Sequence, residues 1–291
     1  MLLRYLVSNF LKQQGQTAVR SMVEEKLAEQ NAAQFDSAEI PQPDVVVLFA
    51  LGIESSGLKQ RLESATPVKL QGRKVTLGKL GDQVVAVVDS GVGRKQAAAA
   101  TRDIVEIIAP KWIVSAGFAG GLRSQLKRGH VVMADRVCDL NGKEIPIPLN
   151  LTPEQIAASP GLHVGRLLTV DKIIRTVEEK RELGETRDAL AVDMETLAVA
   201  EACQEMKAKM LSVRIISDTV DQPLPRDLEK MMSQKTTAGM LGAAAATLFN
   251  RPASAKDMWN LHAMATKASD HLAGFLEGIL PRLDSAVKGE E

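Results

Sequence analysis

From Pro43 onward the apolar positions stop recurring at helical spacing and run together. DVVVLFALG, residues 44–52, is a continuous β-branched stretch of the kind buried on both faces of a parallel sheet. PVKLQ and KVTLGKLG predict two weaker strands leading into QVVAVVDSGVG, a small antiparallel meander that returns to the main sheet. RKQAAAATRDIVEII, residues 94–108, has helical spacing; Gly91 and Gly93 open it and Pro110 stops it. KWIVSAGFAGGL predicts a strand followed by a glycine turn, and RGHVVMADRVCDL predicts another strand. Residues 141–160 carry four prolines and little periodicity, which predicts a loop long enough to be a lid or a subunit contact. GRLLTV reads as strand, KIIRTVEEKREL as helix, ALAV as a run into a helix beginning at Asp193, and KMLSVRIISD as the last core strand. Strands alternating with helices on this spacing predict an α/β fold, a three-layer sandwich around a central mixed, largely parallel sheet.

The two ends follow a different pattern. Leu2, Leu3, Leu6, Val7, Phe10 and Leu11 recur at helical spacing, and the pattern ends near Leu27. This predicts an amphipathic helix that docks on the domain or on a partner subunit, with peripheral contact to a membrane surface as the alternative. The stretch lacks the uninterrupted apolar run of a signal peptide or a spanning helix. Residues 30–43 are polar, close with two prolines and read as a linker, so residues 1–43 form an extension and residues 44–291 one domain. From Leu228 the chain predicts two helices divided by Asn250, Arg251 and Pro252. Met258, Leu261, Met264 and Leu272 mark a buried stripe on the second helix. Together with Met231, Met232 and Met240, two of these methionines would suit an adaptable apolar groove.

Composition narrows the function. The 291 residues are 45% apolar and carry 36 basic and 36 acidic side chains, so no net field draws the chain to nucleic acid, and the expected partner is a small molecule. Cys138 and Cys203 have neither metal-ligand spacing nor a disulfide framework, which fits a reducing, cytoplasmic setting. His130, His163, His262 and His271 show no zinc-binding grouping, and no metal is expected. Candidate chemistry lies in the carboxylates. AVDMETLAVAEA puts Asp193 and Glu195 at the mouth of a predicted helix, where backbone N–H groups favour negative charge or a polar ligand. VRIISDTVDQ ends an apolar strand on Asp218, beyond the carboxyl end of a strand, where open α/β sheets gather ligands. Taken singly, Asp193 and Asp218 also read as ordinary caps of a helix and a turn.

These segments in order, LFALGIES, DSGVGRKQAAAAT, IVSAGFAGGL, GHVVMAD, VDMETLAVA and VRIISDTVDQ, carry a resemblance over about residues 44–225. The chain resembles the nucleoside phosphorylase and nucleosidase superfamily, closest in motif to methylthioadenosine and S-adenosylhomocysteine nucleosidases. The resemblance implies hydrolysis of the N-glycosidic bond of a 5′-substituted adenine nucleoside, without cofactor, by a homo-oligomer. By the same resemblance, Asp218 is the general acid that protonates the purine imidazole ring. Ser217 and backbone amides would hold that carboxyl in a low-polarity pocket. Glu54 would activate the attacking water with Arg214 as its charge partner. Glu195 would hold the ribose hydroxyls and Met194 would pack under the sugar. Gly117, Phe118 and Ala119 would border the substrate, and Gly117, Gly120 and Gly121 would let the chain pass close to it.

Three features depart from the family pattern. Phosphorylases of the superfamily carry an arginine two residues before the glycine turn, and Ser115 stands there, so phosphate lacks an expected cation. Phe118 replaces a small polar residue, and Ile173 stands where nucleosidases place an aromatic ring over the base. The tail LGAAAATLFNRPASAKDMWNLHAMATKASDHLAGFL resembles the carboxyl-terminal helices of the hopanoid-associated branch, whose proposed substrate is an adenosyl lipid. An adenosyl-lipid nucleosidase or phosphorylase, a purine nucleoside phosphorylase and a nucleoside-binding protein without catalysis are therefore the alternatives to be separated.

Overall fold

The structure, a computed structural model, describes residues 42–224 and 253–283. The segments expected to form the amino-terminal helix, most of the linker and the first tail helix lie outside the described residues, as do the side chains of Met258 and Leu261. The described elements run β1 (Val45–Phe49), α1 (Gly52–Arg61), β2 (Glu63–Leu70), β3 (Arg73–Leu80), β4 (Gln83–Asp89), α2 (Arg94–Ile108), β5 (Trp112–Gly121) and β6 (Val131–Cys138). They continue with β7 (Glu144–Pro146), α3 (Pro153–Ala157), β8 (Leu162–Thr169), α4 (Val177–Arg187), β9 (Ala191–Asp193), α5 (Thr196–Met206), β10 (Lys209–Asp218) and α6 (Ala253–Ile279).

β1 lies between β4 and β5 and is parallel to both. On one side β4, β3 and β2 form the antiparallel meander. On the other, β5 pairs in parallel with β10, which is antiparallel to β6; β6 is parallel to β8, β8 to β9, and β9 returns antiparallel to β5. The mixed sheet therefore curls until β5 is bonded on both flanks of its carboxyl-terminal half. That half is where the glycines lie.

The alternation along β1 divides the core into two faces. Val45, Val47 and Phe49 pack with Leu58 of α1 and with Leu272 and Leu276 of α6. Val46 and Leu48 pack with Ile104 and Ile108 of α2 and with Val199 and Cys203 of α5. Successive strand side chains point to opposite faces, so an unbroken apolar run requires cover on both, and the two helical layers provide it. Each such buried aliphatic side chain stabilises the fold by about 1.5–3 kcal/mol relative to exposure.

Four local expectations are corrected. The predicted glycine turn is strand: β5 runs through Gly121, because β9 and β10 supply hydrogen-bond partners on either side. The helix expected from Asp193 begins at Thr196, and Asp193 instead ends β9, paired with Thr169 of β8. Residues 141–160 hold β7 and the short α3, which the capping box of Thr152 and Gln155 nucleates. α4 starts at Val177, where the Thr176 hydroxyl accepts from the Glu179 N–H.

α6 grips α1 through one hydroxyl. Ser269 Oγ donates to the carbonyl of Glu54 at 2.9 Å and accepts from the Gly57 N–H at 3.0 Å. Arg61 adds ion pairs to Asp270 and Glu277 at 2.8 and 3.2 Å. Gly57 permits this approach, since a Cβ there would lie 2.6 Å from the Ser269 carbonyl oxygen. Alanine gains about 1 kcal/mol over glycine in helix propensity. Overpacking against backbone costs about 1–3 kcal/mol, and a backbone carbonyl cannot rotate aside, so the clash wins. Gly57→Ala is expected to lower the urea midpoint; an unchanged or raised midpoint would show that α6 yields without cost.

Candidate active site

Glu54 lies in the first turn of α1, directly after β1, and its carboxylate folds back on the chain. Oε2 accepts from the N–H groups of Ala50 and Leu51 at 3.1 and 2.9 Å, and Oε1 accepts from the Phe118 N–H at 2.8 Å. Burial raises its pKa even against these three hydrogen bonds and the nearby Arg214 charge. The space beside Oε1 is the missing side chain of Gly117: a Cβ there would lie 2.9 Å from Glu54 Oε1 and 3.2 Å from Arg214 Nη1.

Arg214 comes from β10, directly opposite Gly117 in the ladder, and is only 3% exposed. Its Nε and Nη2 donate to Asp193 Oδ2 at 3.1 and 2.9 Å. Nη2 also meets the hydroxyls of Ser115 and Thr196 at 2.8 and 2.7 Å. Asp193 is closed off further by the Thr169 hydroxyl at 2.7 Å and by the Thr196 N–H at 2.9 Å. Nη1 is buried with no hydrogen-bond partner among the described residues. A donor of that kind next to a carboxylate and a glycine gap calls for a further acceptor, which a bound ligand or water can supply.

Glu195 caps α5 from the far side of the same cleft, where its Oε1 accepts from the Gly93 N–H at 2.7 Å. Burial, and then the negative charge of Asp193, push its pKa up to about 8. Glu54, Ser90, Ser115, Phe118, Glu195 and Arg214 are among the residues that line this cleft, which opens to solvent.

Asp218 is positioned by a β-bulge. Ile216 pairs with Ala119 and Asp218 with Gly120, which leaves Ser217 as the extra residue. The bulge turns the carboxyl onto Gly120, where a Cβ would lie 3.2 Å from Oδ2. The Ser217 hydroxyl donates to Oδ1 at 2.7 Å. Oδ2 receives Lys180 Nζ at 2.5 Å, and the same ammonium donates to the carbonyls of Thr219 and Gln222 at 3.0 and 2.7 Å.

Several site expectations change accordingly. Arg214 takes Asp193, not Glu54, as its ion-pair partner, because the two planar groups are locked by the hydroxyls of Ser115 and Thr196. Asp193 is saturated by chain groups and has no open side for a ligand. Among the described residues the partners of the Asp218 carboxyl are a hydroxyl and an ammonium, in place of backbone amides in a low-polarity pocket. The Ala119 side chain packs in the core with Leu126 and Val132, so only its backbone faces the site strand. Gly117 and Gly120 give their space first to the carboxylates of Glu54 and Asp218, while a Cβ on Gly121 would meet the Asp218 carbonyl at 3.3 Å. Met194 is half-buried between β9 and α5 and Ile173 half-buried between β8 and α4, and neither lines the cleft; Ser217 and Asp218, further along β10 than Arg214, also lie outside its lining. Lys180 escaped the sequence reading because VEEKREL reads as a solvated helix face. Gly184, one turn on, is the one signal: a Cβ there would lie 2.4 Å from the Leu122 carbonyl, so α4 lies flat on the chain and buries Lys180.

A phosphorylase superfamily model matches residues 44–249. The 5′-methylthioadenosine/S-adenosylhomocysteine nucleosidase of Staphylococcus epidermidis is 23% identical over 209 residues, 65% of this chain and 92% of that protein. The enzyme of the same name from Haemophilus ducreyi is 26% identical over 197 residues, 60% of this chain and 85% of that protein. Among solved structures, a Helicobacter pylori nucleosidase with 5′-methylthioadenosine in its active site superposes with a TM-score of 0.62 at 19% identity, covering 83% of this chain and 99% of that one. Futalosine hydrolase of Helicobacter pylori gives the same TM-score of 0.62 at 18% identity, covering 83% and 99%. The fold is shared by both, so it does not choose between substrates.

The Glu195 carboxyl yields a stability prediction. Its folded pKa lies above the ordinary value of 4.5, so the unfolded chain gives up this proton first. The native state is favoured below about pH 4.5 and loses that advantage as pH rises towards 8, with a slope of up to about 1.4 kcal/mol per pH unit. Glu195→Gln keeps a carbonyl acceptor for the Gly93 N–H and has nothing to titrate. Urea unfolding across this window should show a flatter pH dependence for the variant and a higher midpoint than the parent at the alkaline end. Parallel curves would contradict the raised pKa.

Proposed function

The chain belongs to the phosphorylase superfamily, and from that premise we propose that it hydrolyses the N-glycosidic bond of a 5′-substituted adenine nucleoside and releases adenine. In this reading Glu54 draws a proton from water, and the water oxygen attacks the anomeric carbon. Arg214 Nη1 donates a hydrogen bond to that water or to a sugar oxygen. Glu195 holds the ribose hydroxyls, bonds that strengthen as the sugar becomes an oxocarbenium ion. Asp218 passes a proton to the imidazole ring of the base, which then leaves as neutral adenine.

The observation that favours water over phosphate is the cleft's supply of donors. Among the described residues that line it Arg214 is the one cation, and all of it but Nη1 is already committed to Asp193, Ser115 and Thr196. Phosphate recognition calls for several charge-assisted donors, and Ser115, whose oxygen accepts from Arg214, brings no charge of its own. A single water needs no more than Glu54 and one N–H. We further propose a cytoplasmic homo-oligomer working without cofactor. Among the described residues no helix is long and apolar enough to cross a membrane.

The direct test is adenine release from methylthioadenosine, S-adenosylhomocysteine and a 5′-alkyl adenosine, with and without phosphate. Phosphate-independent release is expected, and a ribose 1-phosphate product would establish the phosphorylase instead. Preference for the alkyl substrate would favour an adenosyl lipid, and binding without turnover would favour a nucleoside-binding protein. Asp218→Asn is nearly isosteric and should lower kcat by about 10²–10⁴-fold, the contribution of a positioned general acid, and it should also lower the unfolding midpoint, because the buried Lys180 ammonium loses its anion. Full activity of that variant would remove Asp218 from its role.

A further inference from the structure

Lys180 is the fully buried charge that the proposed mechanism leaves unused. Its three N–H bonds meet three acceptors, Asp218 Oδ2, Thr219 O and Gln222 O, at 2.5, 3.0 and 2.7 Å. That set satisfies an ammonium completely, since both carbonyls can only accept. The chain invests structure in this placement: Gly184 lets α4 press on the backbone of Leu122, and the bulge at Ser217 turns Asp218 to face Lys180. A buried ion pair adds little net stability over an apolar pair of similar shape, so its cost is better explained by chemistry than by folding.

We propose that Lys180 is a positioning residue that holds the proton Asp218 delivers to the base. The inference rests on the hydrolysis proposed above. As the glycosidic bond breaks and its electrons pass to the purine, a Lys180 Nζ–H bond breaks and an Asp218 O–H bond forms. The Asp218 O–H then breaks as the ring N–H forms. Lys180 is left as the neutral amine, Asp218 as the carboxylate, adenine leaves neutral, and the proton taken from water rests on Glu54. Exchange with solvent returns the Glu54 proton and recharges Lys180. A carboxylate beside an ammonium is thereby a proton donor without having to wait for a proton from solution. Of the charged groups nearby, Arg181 pairs with Asp221 at 2.6 Å, Glu179 with Lys172 at 2.7 Å and Asp193 with Arg214 at 2.9 Å, while Arg175, whose carbonyl accepts from the Leu224 N–H, keeps a buried Nε with no partner among the described residues. Glu178 of α4 is exposed.

The test is the pH profile of kcat/KM for Lys180→Met, in which Asp218 must take its proton from solvent. Relative to the parent, a loss of about 10²-fold near pH 8 is expected, shrinking to about fivefold or less near pH 5.5, because general-acid efficiency follows the protonated fraction. A nucleoside methylated on the imidazole nitrogen needs no proton to leave, and the variant should turn it over at close to the parental rate. Asp218→Asn combined with Lys180→Met should be no slower than Asp218→Asn alone. Lys180→Gln, which keeps a donor to Asp218 but no transferable proton, should behave like Lys180→Met and serves if the latter does not fold. A loss that is equal at every pH, or equal on the methylated substrate, would overturn the inference and leave Lys180 a packing residue. Parental turnover with Asp218→Asn silent and Lys180→Met unaffected would remove this inference alone, whereas a silent parent would remove the hydrolysis reading and this one together.

Discussion

A guanidinium buried between strands needs an anion and a set of lone pairs, and the site is arranged around the way Arg214 obtains them. Asp193 supplies the charge from β9, Ser115 an oxygen from β5, and Thr196 an oxygen from the start of α5, while Thr169 of β8 holds the other oxygen of Asp193. Four strands and a helix therefore share one ion pair. Removing either partner from such a pair costs about 3–5 kcal/mol, because the other is left charged and unpaired in the interior. The same pair sets the chemistry on both sides of it. It leaves Nη1 without an acceptor beside Glu54, and its carboxylate raises the pKa of Glu195.

Two carboxyl groups that line the cleft and a third at the end of β10 meet three environments. Glu54 is ringed by backbone N–H groups, Glu195 faces one N–H and a neighbouring negative charge, and Asp218 meets an ammonium. Groups of the same chemical type are commonly assigned different tasks in this way, by surroundings and not by identity. The glycines of β5 are part of the device. They remove side chains opposite Arg214 and Asp218 and let carboxylates approach the backbone.

Much of the scaffold was legible because it follows from local pattern. The unbroken DVVVLF run demanded cover on two faces and has it, and α2 occupies residues 94–108 as its spacing predicts. The membership of the site in a phosphorylase-like fold was carried by the VDMET and RIISD motifs together. What could not be read were pairings between residues distant in sequence. Whether FAGG turns or continues as strand depends on β9 and β10, about 70 and 100 residues away. Arg214 was assigned to Glu54 by resemblance, but the choice between Glu54 and Asp193 is made by where three hydroxyls lie. Lys180 sits among Glu and Arg neighbours in a helix whose polarity conceals that one of its faces is buried.

The hydroxyl of Ser269 joins two things that are usually separate, the docking of a helix near the end of the described chain and the backbone of Glu54. A segment held mainly by one face can open while the sheet stays folded, with a free energy below that of global unfolding. Each such opening would release the peptide that orients the Glu54 carboxylate. Catalytic competence then has its own equilibrium, governed by a local detachment, and heat or denaturant should silence the site before the strands exchange their amide hydrogens.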